Sequence, residues 1–364
     1  MMWMLAFTLL PLLAIAYISW HVWCLLPWGA VWKSLAVAAL AGSFLLLFAG
    51  IFRATDRLPM PLATAVYEVG TSSVFVLLYL FMLWLVLDLA RLVHLLPQTL
   101  LYNNGWMAAG ITCLMVGLFV YGNLHYRHKY REALHITSDK VAHPTKILMV
   151  SDLHIGYHNQ RDELHRWVDI INQERPDVVL IAGDIIDGSM RPLLEQQMHE
   201  EFLRIKAPVY ACLGNHEYFS GEPAAQRFYQ QAGIRLLQDT TAVVGDLCII
   251  GRDDRTNPHR KTLGKIMTEA AADATGKYTI LLDHQPYHLE QAERQHIDFQ
   301  FSGHTHHGQL WPISWITESI YECAFGQHQR GATTYYVSSG LGIWGGKFRI
   351  GTRSEYVVLD ISKE

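Results

Sequence analysis

Charge is scarce in the first third of this sequence. Between Met1 and Gly122 the only Lys, Arg, Asp and Glu residues are Lys33, Arg53, Asp56, Arg57, Glu68, Asp88 and Arg91. The whole chain is 17% charged, against roughly 25% in an ordinary soluble domain. A solvated surface cannot be built from so few polar groups, so the first third is not expected to be a soluble bundle. Cysteine is sparse too. The five cysteines are Cys24, Cys113, Cys212, Cys248 and Cys323, with no CxxC or paired spacing. That argues against a disulfide framework and a zinc knuckle and leaves buried structural thiols. There is no basic excess. A net charge of −4 gives no patch for nucleic acid, and no nucleic-acid partner is expected.

What is present in the first third is apolar length. Met2 to Trp23, Ala30 to Phe52, Gly70 to Leu87 and Trp106 to Gly122 are nearly free of charge. A spanning helix needs about 20 apolar residues, with a lower limit of roughly 17. These runs lack the polar face that soluble helices keep at 3.6-residue spacing. Breakers lie between them: Pro27 and Gly29, then Pro59 and Pro61, then Pro97 and Asn103 to Gly105. The first run has no basic n-region and further apolar runs follow it, so a span is expected there rather than a cleaved signal peptide. Residues 1–122 are thus expected to form a bundle of about four transmembrane helices.

Arg53, Arg57, Arg127, Lys129 and Arg131 fall on one side of such a bundle, and Lys33 and Arg91 on the other. The positive-inside rule then predicts a multi-pass protein with its C-terminal domain in the cytoplasm. Trp3, Trp20, Trp23, Trp28, Trp32 and Trp106 stand at run ends as interfacial anchors would. Asp88 and Arg91 are three apart on a helix near its end, where snorkelling to the interface is expected. Residues 123–135, NLHYRHKYREALH, read as a basic and helical juxtamembrane connector, with a solvated linker as the alternative.

Residues 136–364 form the second domain. β-rich runs recur at Lys146 to Val150, Asp177 to Ala182, Val209 to Leu213, Leu247 to Ile250, Thr279 to Leu282 and Phe299 to Ser302. Two more follow, at Thr334 to Val337 and Tyr356 to Ile361. Helical stretches separate several of them, at Asp162 to Glu174, Leu193 to Lys206, Pro223 to Ala232 and Leu263 to Ala274. Alternating strands and helices predict an α/β layered domain whose ligand sites collect at the carboxyl ends of the strands.

Polar clusters fall at those ends: Ser151-Asp152-Leu153-His154, Gly183-Asp184-Ile185-Ile186-Asp187, Gly214-Asn215-His216-Glu217, Asp283-His284 and Gly303-His304-Thr305-His306-His307-Gly308. Hydrolysis of a phosphoester brings an anionic nucleophile to an anionic phosphate. Two cations about 3.5–4 Å apart overcome the repulsion. Such a pair needs a bridging carboxylate and a mixed set of imidazole and oxygen ligands, which suits manganese, iron or zinc better than magnesium or calcium. Asp152, His154, Asp184, Asn215, His284, His304 and His306 supply that set. Alternation along an extended Asp152-x-His154 segment is expected to put both side chains on one side.

The string DLH, GDIID, GNHE, a strand-end His and GHTHHG, from Ser151 to Gly308, resembles the calcineurin-like metallophosphoesterases. The tail from Tyr336 to Gly342, followed by Arg349, resembles the branch with bacterial membrane-associated members and transmembrane proteins carrying this domain. The resemblance implies a four-layer αββα sandwich, two β-sheets flanked by helices. It implies that Asp152, His154 and His306 hold one divalent metal with Asp184, and that Asn215, His284 and His304 hold a second, Asp184 bridging. It implies that His216 contacts the phosphate or protonates the leaving oxygen, and that Asp187 orients His216 or a ligand. His307 is a candidate substrate contact or an exposed loop residue. Manganese is the metal expected first, then iron or zinc.

The reaction expected is attack of a metal-activated water on a phosphate ester or pyrophosphate at a bacterial inner membrane. Trp311, Trp315, Ile316 and Trp344 follow the last motif and suit either a lipid tail or a packed core. Lys347, Arg349 and Arg353 suit a phosphate or diphosphate. A lipid-linked substrate beside the bilayer is therefore expected. A membrane-tethered phosphoprotein phosphatase and a non-catalytic metal-binding scaffold are the alternatives.

Overall fold

The structure is a computed structural model describing residues 2–363, with side chains from Leu9 onward. The chain divides into a helical unit and an α/β unit. The helical unit comprises residues up to Asn123 together with Gly345–Lys347; the α/β unit holds the remainder.

Four long helices make up the first unit: α1 (Met2–Leu25), α2 (Ala30–Ile51), α3 (Met60–Leu92) and α4 (Gly105–Arg127). Among the described residues, α2, α3 and α4 are long and apolar enough to cross a membrane; Leu9–Leu25 of α1 is a shorter apolar segment. Exposed apolar side chains cover the unit, as expected where the solvent is lipid rather than water. Trp20, Trp23, Trp28, Trp32 and Trp106 are all exposed; the side chain of Trp3 lies outside the described residues. Asp88 does not simply snorkel. Tyr17 donates to it at 2.6 Å and His21 approaches it at 3.0 Å, with Arg91 at 3.6 Å. This polar knot ties α1 to α3. Cys113 is exposed and Cys24 half-buried, so buried thiols describe only Cys212, Cys248 and Cys323.

The expected connector at residues 123–135 does not exist as one. Helix α4 continues through its first half to Arg127, and Lys129–Thr137 is an edge strand, β1. Tyr130, Glu132, Leu134 and Ile136 alternate with Arg131, Ala133 and His135, a period-two pattern that the basic composition masks.

Among the described residues the α/β unit holds twelve strands. After β1 come β2 (Thr145–Val150), β3 (Val178–Ala182), β4 (Val209–Cys212), β5 (Arg235–Leu236), β6 (Thr240–Val244) and β7 (Leu247–Gly251). Then follow β8 (Tyr278–Leu282), β9 (Phe299–Ser302), β10 (Gly326–Arg330), β11 (Thr333–Val337) and β12 (Ser354–Ser362). They form two six-stranded sheets, in the orders β1-β12-β2-β3-β4-β5 and β10-β11-β9-β8-β7-β6. The central strands β2, β3 and β4 run parallel, as do β7, β8, β9 and β11.

Alternation along each strand divides the core. Ile147, Met149, Leu180 and Cys212 of one sheet meet Ile249, Ile280, Leu282 and Phe301 of the other. Leu148, Val150, Val179 and Ile181 face outward onto Leu164, Trp167 and Val168 of helix α5 (Arg161–Glu174). Cys248, Ile250 and Leu281 face outward on the other side, onto Leu263, Ile266 and Leu289. Strands buried on both faces read as unbroken apolar runs, which is why their sequence is so legible. The helical stretch expected from Leu193 to Lys206 is instead two short helices, Arg191–Glu195 and His199–Phe202. That expected from Leu263 to Ala274 breaks at Ala270.

Candidate metal centre

Parallel strands ending at one edge bring their following loops together. Asp152 and His154 follow β2, Asp184 and Asp187 follow β3, and Asn215 and His216 follow β4. His284 follows β8, and His304 and His306 follow β9. The loops turn sharply. Asp152, His154, Asp184, His304 and His306 all have left-handed backbones, with φ of 54°, 45°, 50°, 71° and 49°. Asp152 and His154 therefore converge through a tight turn and not through the extended alternation expected. Non-glycine residues avoid this region, and their concentration at one place marks a site whose surroundings enforce it.

The side chains form three groups that share residues. Asp152, His154 and His306 present ligand atoms within 4.8 Å of one another, as do Asp184, His284 and His304, and a third set of His154, Asp184 and His216 overlaps both. In the first, His154 Nε2 and His306 Nε2 lie 3.1 Å apart, and His306 Nε2 lies 3.6 Å from Asp152 Oδ1. In the second, His304 Nδ1 lies 2.9 Å from Asn215 Oδ1. Asp184 stands between them. Its Oδ2 is 3.7 Å from His154 Nε2 and 3.0 Å from His284 Nε2.

The outer hydrogen bonds orient these rings. His284 Nδ1 donates to the Ala182 carbonyl at 2.8 Å, which turns Nε2 inward as an acceptor. His154 Nδ1 bonds Asp187 Oδ1 at 3.2 Å with the same effect. His284 Nε2 and His306 Nδ1 are buried without a hydrogen-bond partner. Two imidazole nitrogens facing each other, and an orphaned one beside a carboxylate, fit divalent metal ions.

Electrostatics divide the rings. Burial opposes charge on His154 and His284, but hydrogen bonds to Asp152 and Asp187 raise His154 to about 10 and the charge of Asp184 raises His284 well above the ordinary value. Burial works against the charge on Asp184, but the imidazoles of His284, His216 and His154 hold its carboxyl well below the ordinary range. Burial lowers His306 to about 3. Burial and the neighbouring His284 lower His304 to about 4. Both rings keep a lone pair near neutral pH, as ligation requires.

His216 sits at the edge of the centre with 17% of its side chain exposed. Its backbone N–H donates to Asp184 Oδ1 at 2.9 Å, and its Nδ1 contacts the Asp187 carbonyl oxygen. Asp187 thus serves two rings, its carboxylate holding His154 and its carbonyl holding His216. Gly214 and Gly303 permit close approach. A Cβ on Gly214 would collide with Asp184 Oδ1, and one on Gly303 with Asp152 Oδ2.

The expected substrate contacts fare differently. Arg349 is fully buried, so it does not face a substrate. It donates to the His306 carbonyl at 2.6 Å, to Ser354 Oγ at 3.2 Å and to the carbonyls of Ser339 and Gly342. Its role is to brace the loop that carries His306. His307 is stacked on Phe325 and bonded to Glu318 at 2.9 Å. Lys347 groups with the helical unit.

The sequence shows Glu217 within its cluster without giving it a role. Its buried carboxylate accepts from the backbone N–H groups of Asp184, Ile186 and Gly214 at 3.0, 3.0 and 2.7 Å. The signal was there: Glu217 stands at the third position of helix Asn215–Ser220 after Gly214, the spacing of a capping box.

Comparison with known proteins bears on the same segment. The calcineurin-like phosphoesterase family profile matches residues 145–308. An uncharacterized metallophosphoesterase of Helicobacter pylori is 30% identical over 224 residues, 61% of this chain and 60% of that protein. The chain therefore spans under two thirds of that relative. A zebrafish (Danio rerio) protein described as a transmembrane protein with metallophosphoesterase domain is 29% identical over 227 residues, 58% of this chain and 51% of its own. An uncharacterized metallophosphoesterase of Aquifex aeolicus is 31% identical over 226 residues, 59% of this chain and 84% of its own length. Likeness at that level across most of a relative, in the segment that carries the converging Asp, His and Asn side chains, means that this chain belongs to the calcineurin-like metallophosphoesterase family.

Proposed function

We propose that this chain is a membrane-bound phosphoesterase that uses two divalent metal ions, manganese first, to hydrolyse a lipid-linked phosphate or pyrophosphate. The observation that carries the reading is the position of Asp184 between two sets of imidazoles, 3.7 Å from His154 and 3.0 Å from His284. Asp152, His154 and His306 would hold one ion, Asn215, His284 and His304 the other, with Asp184 shared. When bound, such ions screen the phosphate's charge and lower the pKa of a water nucleophile.

The protein's own groups do the rest. Asp187 holds His216 through its Nδ1, which leaves Nε2 to donate a proton to the leaving oxygen or to bind the phosphate. Glu217 and Arg349 hold the loops in register. The lipid part of the reading rests on helix Ile313–Ile320. It begins shortly after the last ligand and exposes Trp315, Ile316 and Ile320, with Trp311 beside it. An apolar surface of this kind suits an acyl or prenyl tail. The convergence of all seven expected ligands disfavours the scaffold alternative. The charge bias of the first third supports a cytoplasmic catalytic domain at a bacterial inner membrane.

The test is phosphate release by detergent-purified full-length protein, stripped of metal and resupplied with manganese, iron, zinc or magnesium. Aryl phosphate, aryl phosphodiester and lipid phosphate form the panel. Metal-dependent turnover, lost in Asp184→Asn and reduced about 10²–10⁴-fold in His216→Ala, is expected. No turnover with any metal would overturn the enzyme reading. Faster cleavage of soluble esters than of any lipid phosphate would overturn the lipid reading alone.

A further inference from the structure

The segment after β7 carries three arginines with different fates. Arg252 and Arg260 both pair with Asp283, at 3.1 and 3.3 Å. Arg255 is exposed and pairs with no carboxylate among the described residues. It is nonetheless placed. Its guanidinium lies 4.1 Å from the centroid of the Tyr287 ring. A cation over an aromatic face is held by the ring quadrupole while its N–H groups stay free.

Tyr287 is in turn fixed to the metal centre's rim. Its hydroxyl bonds that of Tyr321 at 3.0 Å, and the two rings are 4.7 Å apart. The Tyr321 ring lies 6.4 Å from the ring of His304. Arg255 is therefore linked to a candidate ligand through two tyrosine rings in series. The backbone beneath it is also tied to the site. Asp254 is fully buried and accepts from Gln285, the residue after His284, at 3.0 and 2.9 Å. It also accepts from Thr256 N and Oγ1 at 2.8 and 2.7 Å.

A flexible surface arginine has none of these restraints. A guanidinium seated on an aromatic platform that reaches a metal-site histidine, with no acid to neutralise it, has the chemistry of an anion subsite. We propose that Arg255, on its Tyr287–Tyr321 platform, binds a second anionic group of the substrate, beyond the phosphate at the metal centre. The substrate class is then one with two anionic groups, of which a diphosphate ester is an example. This rests on the phosphoesterase reading and narrows it.

The experiment uses the manganese-loaded full-length protein in detergent and measures calorimetric binding of two probes, propylphosphonate and 1,3-propanediphosphonate. They share a spacer and differ in the distal anion. The wild type is expected to bind the diphosphonate at least about tenfold more tightly, the scale of one charge-assisted contact. Arg255→Ala should erase that preference, Arg255→Lys should keep part of it, and both should bind propylphosphonate as the wild type does. An exposed side chain can be removed without unfolding the domain, and the unchanged propylphosphonate affinity checks this. Binding of both probes without preference, or a preference that survives Arg255→Ala, overturns the subsite and leaves the phosphoesterase reading standing. Failure of the wild type to bind either probe overturns both.

Discussion

Glu217 shows how single residues hold this centre in place. Five of the seven expected ligands have left-handed backbones, each costing about 1–3 kcal/mol unless the surroundings enforce it. Glu217 supplies part of that enforcement through three backbone N–H groups on two loops. Burial and the charge of Asp184 push its carboxyl up to about 7, the cost of placing a second acid beside the first. Glu217→Gln keeps the size but replaces one acceptor oxygen with a donor that faces N–H groups. Metal affinity should fall about 10–100-fold, the usual cost of losing a group that orients ligands. Metal titration of the full-length variant checks this, and unchanged affinity would make Glu217 merely a helix cap. Arg349 does similar work from the other side, and its burial is why it cannot reach a substrate.

At the scale of elements, the short helix His199–Phe202 is fastened to α5 by charge. Glu201 is buried and receives Arg161 at 2.8 Å, Arg204 at 2.7 Å and His165 at 3.0 Å. Burial raises its pKa, but hydrogen bonds from Arg204, Arg161 and His165 outweigh that and hold it below the ordinary value. A carboxylate with a depressed folded-state pKa contributes stability above its unfolded pKa and loses it as pH falls through the folded one. The wild type should therefore lose more stability than Glu201→Gln does as pH falls from about 5 to about 3, below the ordinary carboxylate pKa of about 4.3. Thermal unfolding of both proteins across that range measures the difference, and parallel curves would deny the cluster any role. The same scale explains the misread connector. Lys129–Thr137 is an edge strand whose outward side chains are polar and basic, so its composition resembles a surface helix. Only its pairing with β12 establishes the strand.

For the whole molecule, the division into an apolar helical unit and an α/β unit carries the topology prediction. Five basic residues against two predict a cytoplasmic N-terminus and catalytic unit. A C-terminal tag should be digested by protease in inverted membrane vesicles and protected in right-side-out ones. The opposite pattern would invert the topology. The exposed Trp20, Trp23, Trp28, Trp32 and Trp106 lie at the ends of α1 and α4, at the start of α2, and in the loop between α1 and α2. That is the distribution of an interfacial belt.

The amino-acid sequence alone determined most of the architecture and which side chains converge at the candidate metal site. Hydrophobic length is local, strands buried on both faces announce themselves as apolar runs, and each ligand sits directly after its strand. The tertiary structure decided what depends on neighbours distant in the chain. Arg349 turns inward because carbonyls of residues 306, 339 and 342 surround it. Arg252 and Arg260 pair with Asp283, whereas Arg255 lies over the Tyr287 ring and pairs with no carboxylate among the described residues. A basic side chain looks the same in sequence in either place; only the acceptors that folding brings to it separate a brace from a binding group.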